Sequence, residues 1–149
     1  DCARSIIKNK KLILRNPSSI RPWQHVLDVL SGYLLLVKKL YLEKKKKRFN
    51  SNYNFGPNER KKYKVKFIVN SFFKILKINK KKVILAEKQK YNEKKIILLN
   101  SSKAKKMLKW KQNIKTKEAI HLTADWYQSF IKYKKNIILQ QIKSSKLFN

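Results

Sequence analysis

The run IRPWQHVLDVLSGYLLL, residues 20–36, differs from everything around it. It contains one Arg, one Asp and no Lys, in a chain with 39 basic and 8 acidic side chains. Arg21, Pro22, Trp23, Gln24 and His25 stand side by side at its start. From Gln24 onward the apolar positions Val26, Leu27, Leu30, Tyr33, Leu34, Val37, Leu40 and Tyr41 recur at spacings of three and four. That periodicity predicts an amphipathic helix to about residue 43.

The surrounding chain sets the bounds. Its 149 residues are the size of one domain, and 42% apolar content is enough for a single core. A net charge of +31 points toward phosphate-bearing partners. The charge is nearly all Lys, accompanied by Asn and Ile, the residues that A/T-rich codons supply. Arg, which grips phosphate bidentately, occurs only at Arg4, Arg15, Arg21, Arg48 and Arg60. Nucleic-acid binding is therefore expected only as a nonspecific property, and a polybasic protein such as an organellar ribosomal component is the rival reading. A single cysteine excludes an intrachain disulfide, and His25 and His121 are too isolated to predict a metal site. The longest apolar runs are too short to span a bilayer, so no membrane partner is expected. The opening DCARSIIKNKK has no initiator Met and no signal-peptide layout. It reads like the interior of a longer reading frame, with the cytoplasm as the expected compartment.

Along the chain, DCARSIIKN suits a helix end, and KLILRNP a strand closed by the Asn16-Pro17 turn. Residues 18–23 form a second extended piece. After the solvated run EKKKKR, NYNFGPNE reads as a strand stopped by Gly56-Pro57, and VKFIVNSFFKIL as a helix through Leu76. KKVILAEK and KKIILLN read as short strands. SSKAKKMLKW is predicted as a helix with a serine cap, TKEAIHLTADWYQSFIKY as one capped by Thr116, and NIILQQIKS as a last helix. The class is α/β, mainly helical with short strands. No group of strands makes a self-contained βαβ series. Gly32 and Gly56 are the only glycines, which rules out a Gly-rich phosphate loop. The strands read as contributions to a larger sheet.

This order of pieces resembles the C-terminal, substrate-binding part of extended short-chain dehydrogenase/reductases that act on nucleotide sugars. Three runs carry the likeness: RNPSSIRPWQHVLDVLSGYLLL at 15–36, NFGP at 54–57, and LLNSSKAKKMLKWKQNIKTKEAIHLTADWYQSF at 98–130. The wording is closest to the 4,6-dehydratases of CDP-glucose. There are departures: QKYNEKK keeps Gln89 and Glu93 but has Asn92 where the family has His, and Lys109-Trp110-Lys111 replaces the usual Gly-Trp-Arg/Lys. The resemblance implies that residues 1–149 are one nucleotide-sugar-binding portion and that the NAD-binding Rossmann half precedes Asp1. It also implies a homodimeric NAD-dependent lyase. That enzyme oxidises the sugar at C4, eliminates water across C5 and C6 and returns the hydride to C6.

Residue roles follow from the same resemblance. Arg21 is expected to bind the diphosphate, where Lys could not supply two parallel charge-assisted bonds; its ordinary alternative is a surface ion pair. The segment from Leu12 through Leu14 and Arg15 falls where relatives contact the pyrimidine, partly through backbone groups, and is equally a buried strand. Asn54 lies near the phosphates in relatives, and forming the turn with Gly56 and Pro57 is its other reading. Trp23, Trp110, Trp126 and Tyr127 read as packing residues, and His25 is open. Catalysis in this superfamily needs Tyr-x-x-x-Lys. Tyr41 to Lys45 and Tyr91 to Lys95 match it, as chance predicts for seven tyrosines in so lysine-rich a chain. No catalytic, cofactor-binding or metal-binding residue is therefore assigned.

Overall fold

Two short apolar strands pair beneath a helical layer. The computed structural model describes residues 1–42, 47–78, 83–85 and 94–133. Helix α1, Cys2–Ile7, leads into strand β1, Leu12–Leu14. Strand β1 pairs in parallel with β2, Val83–Leu85, in the register Leu12↔Val83, Ile13↔Ile84, Leu14↔Leu85. Alternation in β1 buries Leu12 and Leu14 and turns Ile13 outward at 63% exposure. The Asn16-Pro17 turn forms as the sequence predicts, with Ser19 N donating to the Asn16 carbonyl at 3.1 Å.

Helices α3, Val65–Ile75, and α4, Thr116–Tyr133, close the first core. Spacing of three and four on α3 places Val69, Phe72 and Phe73 against Leu12, Leu14, Ile120 and Ala124. Tyr127 of α4 meets Phe72 edge-on, with ring centres 6.1 Å apart. Ala124 is fully buried, and its small side chain lets the two helices approach closely.

Helix α2, Val26–Leu42, organises a second core of Phe49, Phe55, Ala104, Leu108 and Trp110. Its inward face is not the apolar repeat singled out in the sequence. Asp28 and Gly32 are buried, and Val29, Leu35 and Leu36 pack on the second core. Val26, Leu30, Leu34, Val37 and Tyr41 face outward, while Tyr33, half exposed, meets the Phe55 ring edge-on at 5.5 Å. The helix is apolar on both sides, so periodicity alone could not choose between them. Close approach decides: a Cβ on Gly32 would lie 2.5 Å from the Phe55 ring.

Several predicted elements take other forms. NYNFGPNE is not a strand, because side chains rather than a neighbouring strand satisfy its backbone. The Gly56 carbonyl accepts from Ser101 Oγ at 3.2 Å, and Asn58 N donates to Gln112 Oε1 at 2.6 Å. KKIILLN contributes a single bridge, Ile96 with Ile20, while Ile20 also bridges Lys64 in the antiparallel sense. Ile20 thus ties three chain segments together. A short helical turn at Ser102 and Lys103 continues as a π-helical turn, Ala104–Leu108. Its side-chain cap comes from Asn100 Oδ1, which accepts from Ser102 N at 2.9 Å, instead of from serine. Ala119 N donates to the Lys115 carbonyl, so Lys115 holds the cap position of α4 and Thr116 the first helical one. Residues 43–46 of EKKKKR, the loop QKYNEKK and the helix expected at NIILQQIKS fall mainly or wholly outside the described residues.

Lys109 ends the π-helical turn at φ 60°, ψ 23°, the left-handed region where the resemblance has glycine. A Cβ costs about 1 kcal/mol there. Lys109→Gly is therefore expected to stabilise the chain by about 0.5–1 kcal/mol, read as a higher urea midpoint at unchanged slope.

Candidate functional site

The distinctive residues before α2 sit where three segments meet. Arg21 is half-buried, and its Nη1 donates to the carbonyls of Ile20 at 2.9 Å and Lys94 at 3.1 Å. Two backbone acceptors hold one side of the guanidinium, an arrangement that fixes its plane. Pro22 sets the backbone, and Trp23 N folds back to the Arg21 carbonyl at 2.9 Å.

Trp23 is a strap. Its Nε1 donates to the Tyr63 carbonyl at 3.0 Å, and its own carbonyl accepts from Thr116 Oγ1 at 3.4 Å. Glu59 ties its own segment to the start of α4. Its carboxylate accepts from Thr116 N. Burial, with the nearby Glu59 behind it, pushes the Tyr63 phenol above its ordinary value.

Arg21, Trp23, Pro57, Glu59, Lys61 and Tyr63 are among the residues lining a cleft of about 20 Å³. That space accepts roughly one water, whereas small-molecule sites run to several hundred Å³. Of the residues expected to bind substrate, Arg21 alone lines it. Leu14 buries its side chain in the first core and offers only backbone, Arg15 is exposed just past β1, and Asn54 is exposed beside Phe55.

His25 resolves into a helix cap. Its Nδ1 accepts from Leu27 N at 3.3 Å at the start of α2. Burial lowers its pKa below the ordinary 6.5, against the opposing charges of Asp28 and Glu118. Trp110 is core, as expected, and Trp126 stacks on Phe130 with ring centres 5.4 Å apart. Lys45 and Tyr91, halves of the two Tyr-x-x-x-Lys matches, lie outside the described residues. Among the described residues no cluster of three His, Cys, Asp or Glu side chains could hold a metal, and no helix is long and apolar enough to cross a membrane.

No protein-family model matches the chain. Over 69 residues it is 49% identical to the CDP-glucose 4,6-dehydratase of Salmonella typhimurium, which is 46% of this chain and 19% of that protein. The fold matches dTDP-glucose 4,6-dehydratase from Bacillus anthracis in complex with NAD, with a TM-score of 0.66 at 20% identity, covering 91% of this chain and 40% of that one. UDP-glucuronic acid 4-epimerase from Bacillus cereus, also in complex with NAD, gives a TM-score of 0.65 at 18% identity, covering 89% and 38%. The chain has the α/β fold of the nucleotide-sugar dehydratases and epimerases. In sequence it is similar to a CDP-glucose 4,6-dehydratase. It spans about two fifths of the solved structures it matches and about a fifth of the curated relative.

Sequence reasoning missed Asp28 and Glu59. Their signal was rarity, since a chain with eight acidic residues places two of them at backbone donors.

Because His25 caps α2 only while Nδ1 is unprotonated, its contribution is complete above pH 6.5 and is lost as pH falls through the lowered folded pKa. His25→Asn keeps an acceptor without titrating. Between pH 7 and pH 5 the native chain should lose more stability than this variant in urea titrations. His25→Ala should cost about 1 kcal/mol at pH 7.

Proposed function

We propose that this chain is the nucleotide-sugar-binding portion of a CDP-glucose 4,6-dehydratase and that Arg21 takes a phosphate of the diphosphate. The 49% identity over 69 residues carries the reading. The geometry of Arg21 supports it: two carbonyls anchor one edge of a half-buried guanidinium beside the cleft. In the same reading Leu14 and Arg15 contact the pyrimidine through the strand end, and the exposed amide of Asn54 reaches the phosphate side. A homodimeric, cytoplasmic enzyme belongs to this reading as well.

NAD, when bound to such an enzyme, accepts and returns the sugar's hydride. The residues of this chain do not fit it. Gly32 lies inside α2 and Gly56 packs on Leu99, neither with positive φ, so no glycine turn for a pyrophosphate exists. The chain's own task is binding and orientation. The acid and base of the reaction, together with the dinucleotide site, belong to a Rossmann half outside residues 1–149.

Two measurements test the proposal. Calorimetric titration with CDP-glucose should show binding that Arg21→Ala weakens about tenfold or more and Arg21→Lys does not restore, because the parallel bonds to phosphate need the guanidinium fork. Equal binding by all three proteins would remove Arg21 from the site. Incubation of the chain alone with NAD and CDP-glucose should yield no 4-keto sugar, and its formation would overturn the division of labour.

A further inference from the structure

An open cavity of about 360 Å³ lies where the π-helical turn ends, lined by Asn58, Lys105, Lys109, Trp110, Lys111 and Gln112. It shares no lining residue with the Arg21 cleft. Its volume is that of a small-molecule site, where the cleft admits roughly one water. Three of the six lining residues carry an ammonium, and none is acidic. The acids nearest in contact are engaged elsewhere. Glu59, next to Asn58, gives its carboxylate to Thr116 N, and Asp28 gives both oxygens to Asn113 N and Ile114 N. A concave wall of one sign concentrates its potential and draws in counter-ions.

Neutral hydrogen bonds frame this wall. Asn58 N donates to Gln112 Oε1 at 2.6 Å, and Gln112 Nε2 donates to the Ile114 carbonyl at 2.8 Å. Lys105 Nζ donates to Asn58 Oδ1, using one of the three hydrogens of its ammonium. Trp110 is 2% exposed, and its Nε1 is committed to the Asp28 carbonyl. Lys109 holds φ 60°, a conformation that disfavours any side chain. Trp110 N, donating to the Ala104 carbonyl at 3.4 Å, closes the turn around it. Strained backbone and π-helical turns both recur at functional sites. Glycine would relieve the strain at position 109, whereas lysine keeps an ammonium on the cavity wall.

We propose that this cavity binds a short chain of phosphates, of the size and charge of inorganic triphosphate, at a site separate from Arg21. Ammonium groups act on phosphate oxygens as point charges, and three of them suit an anion whose charge is spread along a chain. A single phosphate would leave most of the volume unfilled. The buried Trp110 has no free face for a base, so the site reads phosphate and not nucleoside. A single-stranded nucleic acid would need such exposed aromatic platforms beside the lysines.

Calorimetric titration of the 149-residue chain with inorganic triphosphate, at about 0.15 M salt and without divalent metal, tests the site. One triphosphate should bind per chain. Lys109→Gly should weaken binding about tenfold while raising the urea midpoint, so that lost affinity cannot come from lost folding. Lys109→Arg keeps the charge and should hold binding within about threefold. Lys8→Gln, Lys10→Gln and Lys11→Gln together remove three charges from the exposed turn after α1 and should change affinity less than about twofold. ATP should bind no tighter than triphosphate. Several triphosphates per chain, an equal loss in the α1-turn variant, unchanged binding by Lys109→Gly, or ATP binding roughly tenfold tighter would each overturn the assignment.

Discussion

A single carboxylate holds the second core to the helix that builds it. Asp28 is 2% exposed, yet its Oδ1 and Oδ2 accept from Asn113 N at 2.9 Å and Ile114 N at 3.1 Å. Its carbonyl accepts from Trp110 Nε1 at 3.0 Å and from Ser31 Oγ at 2.7 Å. A buried carboxylate is tolerated only when donors surround it, and these donors come from a loop more than eighty residues away. Position in the first turn of α2 adds the favourable helix dipole. With that loop fixed, Gln112 reaches Asn58, and Lys115 and Thr116 begin α4 where Glu59 and Trp23 can hold them. The chain around Arg21 inherits its position from Asp28.

The result is a rigid but open site. Carbonyl oxygens orient Arg21, an indole and a carboxylate lock the segments beside it, and almost no volume is enclosed. Such a half-site fixes the direction of a phosphate contact without shielding it from water. Water screens charge, so an exposed guanidinium binds phosphate less tightly than one in an enclosed cleft.

The lysines stand apart from this machinery. They crowd the turn after α1 and the solvent side of α3, and the polar contacts that define the site come from Asp28, Glu59, Trp23, Thr116 and Arg21. Their side-chain contacts, such as Lys105 to Asn58 and Lys103 to Ser51, are exposed and of small energetic weight. Basicity on this scale shapes solubility and nonspecific attraction to polyanions. It does not build the site.

By itself the sequence determined which segments become helices, because spacing of three and four is a local property. It placed α3 and α4, the strand at Leu12–Leu14, the turn at Asn16-Pro17 and the special character of Arg21 through His25. It also marked Lys109 as a residue where glycine is usual, and the left-handed backbone there gives the reason. Tertiary structure decided the rest. A helix with two apolar faces carries no internal sign of which one is buried, and Gly32 against Phe55 with Asp28 against a distant loop settled that for α2. Residues 52–59 resemble a strand in composition, but strand identity requires a neighbour, and side chains from far along the chain took those backbone groups instead. Pairing and burial depend on contacts across long sequence separations, which local pattern does not contain.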